Sequence, residues 1–133
     1  MSSKSEGVLR YRHKFRNEMT AEINELNEMQ KNLPLLTEEE WNKAVRHFKS
    51  CAMCPSESID ARLMLIPAKD GGKYNRGNVL PVCNKCATVR SISNWPSTMM
   101  AKQHGDGHYT RDPHAKQRLR DAVAYLKQEA SHD

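Results

Sequence analysis

The chain has 133 residues, 38% of them hydrophobic and only 6% aromatic, which allows one ordinary domain, or a small domain with appended helices, around a modest apolar core. A core of that size commonly needs a metal or a partner to hold it. The net charge of +5 and a pI near 9.1 favour an acidic partner, most often nucleic acid, over a neutral one, while the absence of any run of about eighteen apolar residues excludes a membrane-spanning helix.

The first stretch, "MSSKSEGVLRYRHKF", has no apolar h-region, so it does not read as an export signal. Cysteines further on are therefore expected to stay reduced, in a cytoplasmic setting. Residues 1–9 are polar and expected to be mobile. From Tyr11 to Leu33 the spacing predicts a helix: Phe15, Met19, Ile23, Leu26 and Leu33 recur at three, four or seven, with Glu18, Glu22, Glu25 and Glu28 filling much of the other face. Such a stripe packs on the helix's own domain or on a second copy, although two and a half heptads are short for a coiled coil.

Pro34 breaks this helix, having no N–H to donate and biasing Leu33 away from helical geometry. "TEEEW" restarts one: Thr37 is a candidate N-cap, Glu40 completes a capping box, and Trp41, Val45 and Phe48 form the expected core face. "RLMLI" reads as a strand, "KDGGKYNRGN" as a loop with a Gly-Gly turn, and "VLPVC" as a second extended piece. A short helix is expected after Cys86, and residues 98–110 read as loop. Asp112-Pro113 then opens a last helix striped by Ala115, Leu119, Ala122, Val123 and Leu126.

Charge is uneven along the chain. Residues 1–50 carry nine Lys/Arg against eight Asp/Glu, residues 51–90 six against three, and residues 91–133 six against five, so the excess falls chiefly on the cysteine-bearing segment.

All four cysteines lie in two Cys-x-x-Cys pairs, Cys51/Cys54 and Cys83/Cys86, with 28 residues between them. A tight turn in each pair brings two thiolates to one ion, and two such knuckles complete a tetrahedron with Zn–S bonds of about 2.3 Å. One structural four-cysteine zinc site is the expectation. An iron centre would use the same ligands, and disulfides are disfavoured without an export signal. A site closed by four thiolates keeps no position for a reacting water.

With the cysteines placed, the segment resembles the zinc-bearing branch of the HNH endonuclease family, whose pattern runs C-x-x-C, D-H-x-x-P, G-G, N-[LV], C-x-x-C-N. The matching residues are Cys51, Cys54, Pro67, Gly71, Gly72, Asn78, Val79, Cys83 and Cys86. "LTEEEWNKAVRHFKSCAMC" also resembles the helix leading into the first pair in phage-type members. The likeness covers about residues 35–92 and implies an α+β fold, a zinc-stapled ββα-metal module flanked by helices. The corresponding division is residues 1–36, an N-terminal helical extension; 37–97, the module; and 98–133, a loop and C-terminal helix.

In that family a histidine activates water and a divalent cation stabilises the leaving oxygen. Here the Asp-His positions hold Leu63 and Met64, and the last motif position holds Ala87; only Asn78 survives, in a role the family uses to tie the loop. Neither Leu nor Met accepts a proton or binds Mg²⁺. Loss of a general base alone costs about 10²–10⁴-fold. Asp60 and Asp70 lie nearby without a histidine beside them, and "HGDGHYTRDPH" offers His104, Asp106, His108 and His114 as a relocated metal set, with two glycines between the first two histidines arguing against a rigid one.

The resemblance thus implies a frame that binds and does not cut. Lys69, Lys73, Arg76, Lys85 and Arg90 are the candidate phosphate contacts, with DNA the expected partner, and Tyr74 and Trp95 either stack on bases or pack. The alternatives are a nuclease using displaced residues and a protein-binding inhibitor of a host factor, of the kind phages and mobile elements carry.

Overall fold

The computed structural model describes residues 3–88 and 114–131. Its elements are α1 (Ser3–Gln30), α2 (Glu38–Phe48), β1 (Ala61–Met64), a 3-10 turn (Ala68–Asp70), β2 (Val79–Val82), α3 (Asn84–Thr88) and α4 (Ala115–Ala130). This is a mixed α+β architecture with one two-stranded antiparallel sheet among the described residues.

Helix α1 begins eight residues earlier than its apolar stripe suggests. Residues 3–9, expected to be mobile, are helical, since only Gly7 among them is a poor helix former. Its end is set by the Leu33 N–H turning back to the Gln30 carbonyl at 3.2 Å ahead of Pro34. Helix α2 starts at the expected capping box: the Glu40 N–H donates to Thr37 Oγ1 at 3.1 Å and the Thr37 N–H to Glu40 Oε1 at 2.9 Å. It ends at Lys49, whose φ of 64° takes the left-handed cap conformation. Its buried residue is Ala44, whereas Trp41, Val45 and Phe48 are only half-buried. Trp41 serves instead as a platform for the Arg62 guanidinium, 4.4 Å from its ring centroid.

β1 pairs with β2 in the register Ala61–Val82, Arg62–Pro81, Leu63–Leu80 and Met64–Val79. The strand is shorter than "RLMLI": Leu65 and Ile66 leave the ladder but stay buried, Leu65 donating to the Asn78 carbonyl at 2.8 Å. Helix α3 opens at Asn84, before Cys86 and not after it, with the Asp60 carboxylate accepting from the Asn84 N–H at 3.3 Å.

α1 and α4 run parallel. Glu18 meets Arg120 at 2.8 Å, and Lys127 lies between Glu22 and Glu25, so partners advance together along both helices. Phe15, Met19, Ile23 and Leu26 on one side, and Leu119, Ala122, Val123 and Leu126 on the other, are buried in the same cluster as Leu63, Leu65, Leu80, Val82 and the four cysteines. The apolar stripe of α1 is thus consumed within the chain. The ion pairs along the seam are partly exposed and contribute little individually; burial of the stripes holds the helices together.

Candidate metal centre and the adjoining loop

Two short turns deliver the thiols. The Met53 N–H points at Cys51 Sγ from 3.4 Å, and the Ala52 N–H bonds the Pro81 carbonyl at 2.9 Å, fixing the first pair against β2. The second pair closes across the end of β2 and the first turn of α3, where the Ala87 N–H reaches the Cys83 carbonyl at 3.0 Å. All four cysteines are buried and free, and their sulfurs lie within 4.8 Å of one another. Cys54 Sγ and Cys83 Sγ are 3.6 Å apart, far beyond a disulfide bond of about 2.05 Å. Four thiolates around one ion at about 2.3 Å have their sulfurs roughly 3.8 Å apart, which this cluster brackets.

The donor set fits a metal electrostatically as well. A hydrogen bond from Cys86, outweighing burial, pulls the Cys51 thiol down to about 5. Burial pushes Cys54 up to about 12. Thiols packed this closely and away from water cannot all ionise without a cation among them. The residues present are therefore a fit for a closed, structural metal site.

At the other end of the strand pair from the cysteines, the loop between the strands is tied by Asn78, which has no exposed surface. Its Oδ1 accepts from the Ile66 N–H at 2.8 Å, and its Nδ2 donates to the carbonyls of Ile66 and Lys73, both at 3.0 Å. Every polar atom of the side chain thus holds the two ends of the loop together. Gly72 lies inside this tie: a Cβ there would stand 1.8 Å from the Ile66 carbonyl oxygen, so any side chain requires the loop to move. Gly71 sits at φ +102°, a conformation that favours glycine.

A second tie joins the loop to α1. Gln30, fully buried at the last turn of that helix, donates to the Gly71 carbonyl at 3.0 Å and accepts from the Lys73 N–H at 3.0 Å and from Asn75 Nδ2 at 3.1 Å. Asn75 also donates to the Gln30 carbonyl at 2.8 Å, and Asn27 to that of Asp70 at 2.9 Å. Gly77 fills the last gap, since a Cβ there would meet Ala130, Leu33 and Gln30 at 3.0–3.2 Å. No motif marks Gln30, Asn27 or Asn75. Gln30 does sit four residues beyond Leu26 on the apolar stripe of α1, and a polar residue on a buried face is the signal the sequence offers.

The positions that the nuclease pattern would use for chemistry carry none. Leu63 is 3% exposed in the core, where a carboxylate would be desolvated. Met64 is half-buried on the opposite face of β1, and Ala87 packs against the core from α3. Of the candidate phosphate contacts, Lys69, Lys73 and Lys85 are exposed. Arg76 turns inward. Its Nε donates to the Glu129 carbonyl at 2.9 Å, its guanidinium is 3.6 Å from Glu40, and it lines a cavity of about 520 Å³ with Glu39, Glu40 and Glu129. Tyr74 is occupied by Arg62, which donates to its hydroxyl at 2.7 Å and to Glu38 at 2.9 Å. Arg90, Trp95, His104, Asp106 and His108 lie outside the described residues, and His114 is exposed at the start of α4.

No protein-family model matches the chain, no curated protein matches its sequence, and no solved structure matches its fold. No described helix is long and apolar enough to cross a membrane.

Proposed function

We propose that this protein is a zinc-stabilised, non-catalytic nucleic-acid-binding protein built on an HNH-like frame, with DNA the preferred partner. The observation that carries the reading is a combination on the strand pair, with the cysteine cluster at its Ala61–Val82 end and the tied loop at its Met64–Val79 end. A four-cysteine cluster and an Asn78-tied Gly-Gly loop are present, and Leu63 and Met64 stand where the HNH resemblance would put the acid and the base. Zinc is favoured over iron because four thiolates in a closed tetrahedron suit an ion with no redox or geometric demands. A net charge of +5, with Lys69 and Lys73 exposed on the loop, supports salt-dependent contact with phosphates and little direct reading of bases.

The test joins two measurements on purified protein: plasmid incubation with Mg²⁺ or Mn²⁺, and a gel shift on duplex DNA across a salt series. The expected result is a shift that weakens steeply as salt rises, with the plasmid left intact. Metal-dependent nicking that disappears in His104→Ala or His108→Ala would replace this reading with that of a nuclease using displaced residues. Absence of a shift at low salt would remove nucleic acid as the partner.

A further inference from the structure

Three elements meet at Arg62. The residue alternates on β1 with Leu63, so its side chain leaves the strand away from the core, and its guanidinium lies over the Trp41 ring of α2, 4.4 Å from the centroid. One amino group donates to the Tyr74 hydroxyl at 2.7 Å and the other to Glu38 at 2.9 Å. The planar cation is thus held on one face and at two corners, while 32% of its side chain stays exposed. Stability accounts for little of this arrangement. The Glu38 side chain is 76% exposed, and ion pairs in such positions contribute little. Trp41 is only half-buried, so the largest side chain of α2 adds less to the core than its size allows. Tryptophan, tyrosine and arginine gathered on one accessible surface are the residue types that most often carry binding.

What the surface fits follows from what is left of Arg62. Glu38 offsets its charge, so a phosphate gains little there. The guanidinium plane remains, flat, weakly hydrated and fixed in orientation, and unstacked bases lie on such planes as they lie on aromatic rings. The charge for a strand's backbone is on the adjoining loop. Lys73, the residue before Tyr74, and Lys69 are both exposed, and neither has an ion pair among the described residues. We infer that Arg62, fixed by Trp41 and Tyr74, is the stacking platform for an unpaired base of a single-stranded nucleic acid whose phosphates meet the loop lysines. This rests on the nucleic-acid reading above and narrows its substrate class from nucleic acid in general to strands with unstacked bases.

A second copy of the chain would use the same residue types. Leu35, the large apolar side chain exposed among the described residues, stands beside the same loop, because the Leu36 N–H bonds the Tyr74 carbonyl at 3.0 Å. One exposed leucine falls far short of the contiguous apolar patch that a stable interface between copies needs. Two unpaired lysines beside a flat cation suit a polyanion instead.

The test is fluorescence anisotropy of the full chain with a short labelled single-stranded DNA, its duplex, and the same strand with abasic central positions. Loss of the stacked base is expected to weaken binding about 5–100-fold, and the intact single strand is expected to bind at least about fivefold tighter than the duplex. In Arg62→Ala the abasic and intact strands are expected to bind within about twofold of each other. Arg62→Lys keeps the charge and loses the plane, so it is expected to lose affinity as Arg62→Ala does while keeping the salt slope. Should Arg62→Ala lose its fold, Tyr74→Phe, which removes only the hydroxyl that orients the guanidinium, is expected to shrink the same difference between strands. Equal binding of intact and abasic strands by the wild-type chain, or a difference unchanged in every variant, overturns the platform and leaves the nucleic-acid reading standing; absence of binding to single strand and duplex alike overturns both. A dimer that sedimentation shows in the wild type and not in Arg62→Ala, with strand binding unchanged, gives the surface to a second copy and also overturns the inference.

Discussion

Removing the metal is expected to abolish the cooperative unfolding transition of this protein. The cysteine sulfurs belong to the same apolar cluster as Leu63, Leu80, Val82 and the helix seam, so the site is a wall of the core. Structural zinc sites contribute about 10–16 kcal/mol of apparent binding energy, which matches or exceeds the roughly 5–15 kcal/mol by which ordinary domains are stable. Prolonged chelation, or Cys54→Ser or Cys86→Ser, is expected to lower the denaturation midpoint until no two-state transition is seen. An unchanged midpoint in protein shown by elemental analysis to be metal-free would mean that the thiols pack as an ordinary core. The pH dependence follows from the same cluster. With Cys51 near 5 and Cys54 near 12, metal loading between those values must displace the Cys54 proton. Apparent affinity should therefore fall at least about tenfold per unit of pH lowered, and more steeply below about 5, where Cys51 also holds its proton. Competition with a chromophoric chelator across that range reads the slope.

The second large effect is expected at Gln30, which no catalytic or metal argument touches. Gln30→Leu keeps an apolar side chain in the space but leaves the Gly71 carbonyl and the Lys73 N–H without the partners they have at 3.0 Å, and frees Asn75 from its side-chain acceptor. A buried polar group left unsatisfied costs about 1–3 kcal/mol, so the loss should reach roughly 3–6 kcal/mol. The exposed Gln128→Leu on α4 serves as the control, with an expected change within about 0.5 kcal/mol. Urea denaturation measures both. A Gln30→Leu midpoint equal to that of the control would show that α1 docks through its apolar stripe alone. A double-mutant cycle with Asn75→Ala then separates the side-chain pair from the backbone ties.

Helices with a clear apolar period and a chemical stop were legible in the chain. Thr37 and Glu40 announced α2, Pro34 ended α1, and the stripe from Leu119 to Leu126 marked α4. The thiol cluster was equally legible, because two paired knuckles leave few other arrangements. The partners of these elements were not. An amphipathic stripe states that something covers it without stating what, and the choice between α4 and a second copy depends on a topology written nowhere in the local pattern. Arg76 shows the same limit for charge. In the chain it counts with Lys69 and Lys73 as a basic loop residue, and only the proximity of Glu40 and Glu129, distant in sequence, turns it inward. The tying role of Asn78 was expected only from the resemblance to the HNH pattern, and its side chain does bond the Ile66 N–H and carbonyl.

The parallel pairing of the first and last helices has a consequence for how the molecule assembles. Contacts such as Glu18–Arg120 and Glu22–Lys127 join residues 102 and 105 apart, whereas the two cysteine pairs close over 28 intervening residues. Closing the longer loop costs about 1 kcal/mol more in chain entropy, and no metal contributes to it. The stapled strand pair should therefore form first and the helix seam last, so that the seam is also the first part to open. Native-state hydrogen exchange is expected to show amides of α1 exchanging at lower free energy than those of β2, and the reverse order would place the nucleus in the helices. Two helices from opposite ends of the sequence are then what seals the fold.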